Sequence, residues 1–149
     1  KITEISTNFY DDFLNYGGLI GSIPKLPGAP KVFKKLESFT SMIGNYEPIC
    51  PLYESLALIC DNILNMDLKL NSDSQVQLLA KLISVQKRLE NLSIVGDYGI
   101  DHNLLLCAII SQKETLKSLR LKSNSRGNHQ QLDNLFHFKN FILKLSWIV

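Results

Sequence analysis

Three cysteines, Cys50, Cys60 and Cys107, and three histidines, His102, His129 and His137, are the side chains of this sequence best suited to nucleophilic, acid–base or metal chemistry. A cysteine nucleophile needs a nearby base and surroundings that favour the thiolate. Cys60 and Cys107 instead lie in the apolar stretches "LALIC" and "LLLCAII", where a thiol is expected to act as a small buried hydrophobe. The three cysteines are odd in number, far apart and without a CxxC pair, which supports neither a disulfide framework nor a zinc site. The histidines have no H-x-x-x-H spacing, and "GGLIG" lacks the lysine and following helix of a phosphate loop. "DLKLNSDSQ" gathers several oxygen donors but has neither the glycine nor the terminal glutamate of a calcium loop, so a turn with a helix cap is expected there. No catalytic residue, cofactor or metal site is assigned, and the chain is expected not to be an enzyme.

Chemistry being thin, the question becomes what the elements of the chain build. Its 149 residues, 45% hydrophobic and 20% charged, suffice for a domain with a sizeable core. A net charge of +2 without dense Lys/Arg clusters gives no reason to expect nucleic acid or a membrane surface. Apolar runs such as residues 104 to 110 fall far short of the roughly 18 residues that a spanning helix needs. Unpaired cysteines fit a reducing compartment, hence a cytoplasmic or nuclear location. Asn91-Leu92-Ser93 matches a glycosylation sequon, but Leu92 reads as core, and no sugar is expected beside it. The amino end "KITEISTNFYDD" and the carboxyl end "KLSWIV" read as cut from a longer chain.

One pattern recurs. Ile63-x-x-Met66-x-Leu68-x-x-Asn71, Leu89-x-x-Leu92-x-Ile94-x-x-Asp97 and Leu116-x-x-Leu119-x-Leu121-x-x-Asn124 follow one another at an almost even interval. A weaker copy, Leu36-x-x-Phe39-x-Ser41, starts one such interval before the first, and another, Phe138-x-x-Phe141-x-Leu143, follows the last slightly early. Any one match is weak at this hydrophobic content, so the even spacing carries the argument. A period of about 20 to 29 residues with L-x-x-L-x-L-x-x-N marks a leucine-rich repeat. Its x-L-x-L portion is a short parallel strand whose alternate side chains face opposite ways, so Leu92 and Ile94 should enter the core while Asn91, Ser93 and Val95 face out. Asn71, Asp97 and Asn124 should turn the chain away from the strand by bonding to freed backbone groups. One such unit cannot bury its own apolar face, so neighbours must stack upon it.

Parallel strands need crossovers, and the segments between them show helical spacing. "SDSQVQLLAKLISVQ" offers Ser72, Asp73 or Ser74 as cap and Val76, Leu79, Ala80 and Ile83 as an inward stripe. "DHNLLLCAIISQK" offers Asp101 as cap with Leu104, Leu105, Ala108 and Ile109 inward, and "PLYESLALIC" places Pro51 in a first turn with Leu52, Leu56, Ile59 and Cys60 inward. "QQLDNLFHF" reads as a shorter version. The expected fold is an α/β leucine-rich-repeat solenoid, a right-handed arc with parallel strands inside and helices outside, truncated at both ends.

Two regions interrupt the regularity. Residues 1 to 31, with "GGLIGSIPKLPGAP", hold too many glycines and prolines for a long helix or central strand and read as an irregular or degenerate amino-terminal repeat or loop, leaving residues 32 to 149 as the repeat domain. Phe9 lies one repeat interval ahead of Leu36, but Asp12 falls where an apolar residue belongs. "KSNSRGNHQQ", residues 122 to 131, reads as a surface loop.

With chemistry absent, the surface is left. The inner curve should present Ser38, Thr40 and Met42, then Asn65, Asp67 and Lys69, then Asn91, Ser93 and Val95, then Ser118, Arg120 and Lys122. From these the candidate binding face is Asn65, Asp67, Lys69, Asn91, Ser93, Ser118, Arg120 and Lys122. The series turns basic toward the carboxyl end, and with Lys117 and Arg126 nearby it would attract an acidic partner.

With these motifs set out, residues 33 to 149 resemble the leucine-rich-repeat part of F-box-like proteins, particularly the large, divergent fungal kind in which strands like "LENLSI" and "ETLKSLRL" alternate with helices like "LLAKLI". The resemblance implies a non-catalytic protein-binding module that presents a substrate to a cullin-type ubiquitin ligase, with the ligase adaptor held by an amino-terminal F-box. Residues 1 to 30 lack the helical, Leu-Pro-led pattern of that box, so contact with an adaptor would depend on sequence outside this chain. A different reading of the same scaffold is a sensor or autoinhibitory arm of a signalling protein.

Overall fold

The computed structural model describes residues 3–7, 22, 25–42, 50–70, 72–96, 103–123 and 134–137. Six strands, β1 (Glu4–Thr7), β2 (Ser38–Ser41), β3 (Asn65–Leu70), β4 (Asn91–Gly96), β5 (Ser118–Ser123) and β6 (Asn134–His137), form one sheet in which spatial order follows chain order. β1 to β5 run parallel, and β6 returns antiparallel to β5. Four described helices, α1 (Ala29–Phe33), α2 (Cys50–Ile59), α3 (Asp73–Ser84) and α4 (Asn103–Ser111), lie between the parallel strands as the crossovers that parallel pairing demands. They neighbour one another in the same sequence as the strands, so the protein has a sheet layer and a helix layer with one core between them.

The register follows the apolar pattern. Phe39, Met66, Leu92 and Leu119 are aligned across β2 to β5, and the next inward row runs Ser41, Leu68, Ile94 and Leu121. All of them are buried except Leu121, which is partly covered. Ser41 takes the place of an apolar residue without leaving a polar orphan. Its hydroxyl lies 2.8 Å from the Tyr53 hydroxyl inside the core, and the Tyr53 ring meets Phe39 edge to face at 6.0 Å. Gly96 ends β4 opposite Leu70, and a Cβ there would stand 3.3 Å from that of Leu70, which favours the smallest residue.

Strands β1 to β4 begin in the same way. The carbonyl of the residue preceding a strand accepts two amides from the next chain segment: Thr3 from Glu37 and Ser38, Glu37 from Leu64 and Asn65, Leu64 from Glu90 and Asn91, Glu90 from Lys117 and Ser118, at 2.7 to 3.0 Å. Deeper in the core, Cys60 Sγ donates to the Phe33 carbonyl at 3.1 Å. One unit later Gln86 spans the same gap, its Nε2 donating to the carbonyls of Cys60 and Leu82 at 2.8 Å and its Oε1 accepting from the Ile63 amide at 2.9 Å. Side chain and main chain thus satisfy groups that the bends between elements would leave unpaired.

The helices bury the expected stripes, with instructive exceptions. Leu52, Tyr53, Leu56 and Ala57 of α2 are buried, as are Val76, Leu79, Ala80, Leu82 and Ile83 of α3, and Leu105, Ala108 and Ile109 of α4. Leu104 was expected inward and is 54% exposed. Positions 105, 108, 109 and 112 share one face at spacings of three and four, and Leu104 stands one residue off that face, turned about 100° toward solvent. Cys107 likewise faces out, contrary to the expectation of a core thiol. Ser72 occupies the cap position of α3 but makes no capping bond, its hydroxyl lying 3.0 Å from that of Ser74 instead. Asn71, Asp97, Asp101 and Asn124 lie outside the described residues.

Both ends depart from the regular scheme. The amino-terminal region read as irregular supplies strand β1, and α1 begins after Gly28, whose φ of 87° is a backbone state that glycine adopts without a Cβ penalty. "QQLDNLFHF", expected as a short helix, instead contributes β6. So short a stretch cannot hold a helix alone, whereas the edge of β5 offers a full row of backbone partners. The last weak copy, at Phe138, lies outside the described residues.

Candidate functional site

The strand positions that point away from the helices form three rows on the open face of the sheet. The first aligns Glu4, Ser38, Asn65, Asn91 and Ser118, and the second Ser6, Thr40, Asp67, Ser93 and Arg120. The third aligns Lys69, Val95 and Lys122. Alternation along each strand produces this arrangement, since one residue of shift would carry the apolar set out and the polar set in.

Rows one and two surround a shallow depression of about 290 Å³, floored by the edges of Met66 and Leu92. Six of the eight candidate residues line it: Asn65, Asp67, Asn91, Ser93, Ser118 and Arg120. Lys69 and Lys122 stand in the third row and do not line it. Ser38 and Thr40 extend the rim on one side, and Glu4 joins them from β1. Glu4 was not anticipated, because "EIST" is short and lies farther ahead of its partner strand than the repeat interval would place it. Its one usable signal is Ile5, in register with Phe39.

Carboxamides run through the first row as a ladder. Asn91 Nδ2 donates to Asn65 Oδ1 at 2.7 Å, and Asn65 Nδ2 donates to Ser38 Oγ at 3.1 Å. In the second row Asp67 Oδ1 is buried and has no hydrogen-bond partner among the described residues. Two strands away Arg120 is exposed, and no ion pair joins the two. The rows around the depression therefore carry acid on β1 and β3 and base on β5, rather than basic charge alone. Lys117, expected to add to a basic patch, is engaged with Glu90 at 2.9 Å, and Arg126 lies outside the described residues.

Of the three cysteines, Cys60 is held as a neutral thiol. Burial, with the Asp61 carboxylate adding to it, pushes the Cys60 thiol up to about 12, so at neutral pH it is the protonated donor to Phe33. Burial likewise pushes the Tyr53 phenol up to about 12, against the opposing pull of its Ser41 hydrogen bond. Cys107 is exposed on α4 and Cys50 is half-buried at the start of α2. Among the described residues no group of three or more His, Cys, Asp or Glu side chains is placed to hold a metal ion. His102 and His129 lie outside those residues.

Comparisons of the chain with protein-family models, with curated proteins and with solved structures found no match. No described helix is long and apolar enough to cross a membrane.

Proposed function

We propose that this chain is a leucine-rich-repeat solenoid, a right-handed arc whose strand face binds a protein partner without catalysis. The observation that carries the reading is the gathering of Asn65, Asp67, Asn91, Ser93, Ser118 and Arg120 around one depression on rigid parallel strands. The recurrence of the inward rows at a nearly constant interval, and of the doubly accepting carbonyl before β1 to β4, supports the repeat architecture. Strands fix backbone geometry, so side chains displayed on them lose little freedom when a partner docks.

The resemblance to F-box-like repeat regions carries the narrower part of the proposal: the partner is a substrate, presented in the cytoplasm or nucleus to a cullin-type ubiquitin ligase. Quantitative affinity purification of the intact protein tests both parts, run beside a Ser93→Trp variant that fills the depression. The expected result is a partner enriched with the wild type and lost with the variant, and a ligase adaptor recovered with both, since it would dock elsewhere. Absence of the adaptor would remove the ligase role. A partner profile unchanged by the tryptophan would remove the strand face as the binding surface.

A further inference from the structure

Asp67 and Arg120 occupy one row with Ser93 between them, hence two strand spacings apart, about 10 Å. Neither has an ion-pair partner among the described residues, and Asp67 keeps a buried carboxylate oxygen without a donor. The carboxamides of the neighbouring row are bonded to one another and to Ser38, so the charged side chains Asp67 and Arg120 are the stronger groups for selecting a ligand. The two side chains form no ion pair with each other, and together they match a ligand carrying the reverse pair.

We propose that the depression binds a polypeptide segment presenting one basic and one acidic side chain about 10 Å apart, the basic group on Asp67 and the acidic group paired with the Arg120 guanidinium. The inference rests on the strand-face reading above and names the chemistry of its partner. Glu4, on the same flank as Asp67, adds to the attraction for the basic group and opposes a purely acidic partner. A polypeptide fits better than a small zwitterion. The site is shallow, and from Glu4 to Arg120 it crosses four strand spacings, about 19 Å, too long to enclose a small molecule.

Selection from a random dodecapeptide display library against the full chain, followed by affinity measurement of the recovered peptides, tests the proposal. The variants are Asp67→Asn, Arg120→Gln and Ser93→Trp, each first shown to keep the parent circular dichroism and melting temperature. The expected binders contain both a basic and an acidic residue, lose affinity about tenfold to hundredfold with Asp67→Asn and with Arg120→Gln, and lose it wholly with Ser93→Trp. Peptides with one charge replaced by serine weaken to the same degree. Binders that ignore both charge variants yet are lost with Ser93→Trp overturn the charge-pair proposal and leave the strand-face reading standing. If no binder is recovered, or none responds to Ser93→Trp, both fall.

Discussion

The main-chain amide of Ile63 donates to the side-chain oxygen of Gln86 at 2.9 Å, between distant parts of the sequence and entirely inside the core. The same carboxamide donates to Cys60 and Leu82, so one side chain holds the bend before β3 to the end of α3. Burial makes these bonds consequential, because water cannot replace them.

Gln86→Ala should therefore destabilise the fold by roughly 2–5 kcal/mol, as the Ile63 amide and the Cys60 carbonyl lose their partner. Urea denaturation followed by circular dichroism measures it. A loss below about 0.5 kcal/mol, the range of ordinary surface substitutions, would mean that the bend does not depend on Gln86.

Tyr53 and Ser41 make a sharper test, because their hydroxyls are buried 2.8 Å apart. Tyr53→Phe should cost about 1–3 kcal/mol by stranding the Ser41 hydroxyl. The double variant with Ser41→Ala should cost less than the sum of the two single changes, since no orphan remains. Strict additivity in a double-mutant cycle would count against the pair.

Leu92 is 2% exposed and Ser93 lies on the open face. Leu92→Asp should leave the domain unfolded or molten, because a carboxylate between sheet and helices finds no partner and its desolvation costs several kcal/mol against a total of roughly 5–15 kcal/mol. Ser93→Asp should shift stability by less than about 1 kcal/mol, standing between Asp67, which repels it, and Arg120, which attracts it. Equal melting temperatures for the two would overturn the inside and outside assignment.

Lys87 Nζ lies 2.6 Å from Asp61, and its hydrogen bond holds the Asp61 carboxyl below the usual carboxylate range. A carboxyl depressed in the folded state stabilises above its unfolded pKa, about 4, and loses that contribution as pH falls through the folded value. Wild type should thus exceed Asp61→Asn in stability at pH 7 by a small, salt-sensitive margin that vanishes near pH 2. Denaturation curves at the two pH values check the sign. A margin that grows on acidification would contradict it.

The inward rows were legible in the sequence because they depend on alternation and on a repeated interval, and both survive in single residues such as Leu68, Ile94 and Leu121. Burial of α3 was legible for the same reason. Leu104 and Cys107 were misplaced because α4 is apolar on nearly all sides, so composition could not show which face meets the core. Glu4 was missed because a four-residue strand carries almost no periodicity, and its pairing is decided by the edge of β2 rather than by its own residues. The polarity of the binding face was only half visible. Arg120 and Lys122 stood out in the sequence as a basic end, while the lack of a described donor to the buried Oδ1 of Asp67 depends on three-dimensional neighbours.

The reversal at β6 has a directional consequence. A sheet built by adding each new segment in the same sense can, in principle, keep accepting segments at its growing side, including those of a foreign chain. By running backward along β5, the stretch Asn134–His137 occupies that side with a strand of opposite polarity, so no further parallel neighbour can be laid directly upon β5. A segment running in the original sense could be added only beyond β6, in antiparallel pairing, so the parallel run of the described sheet ends at β5.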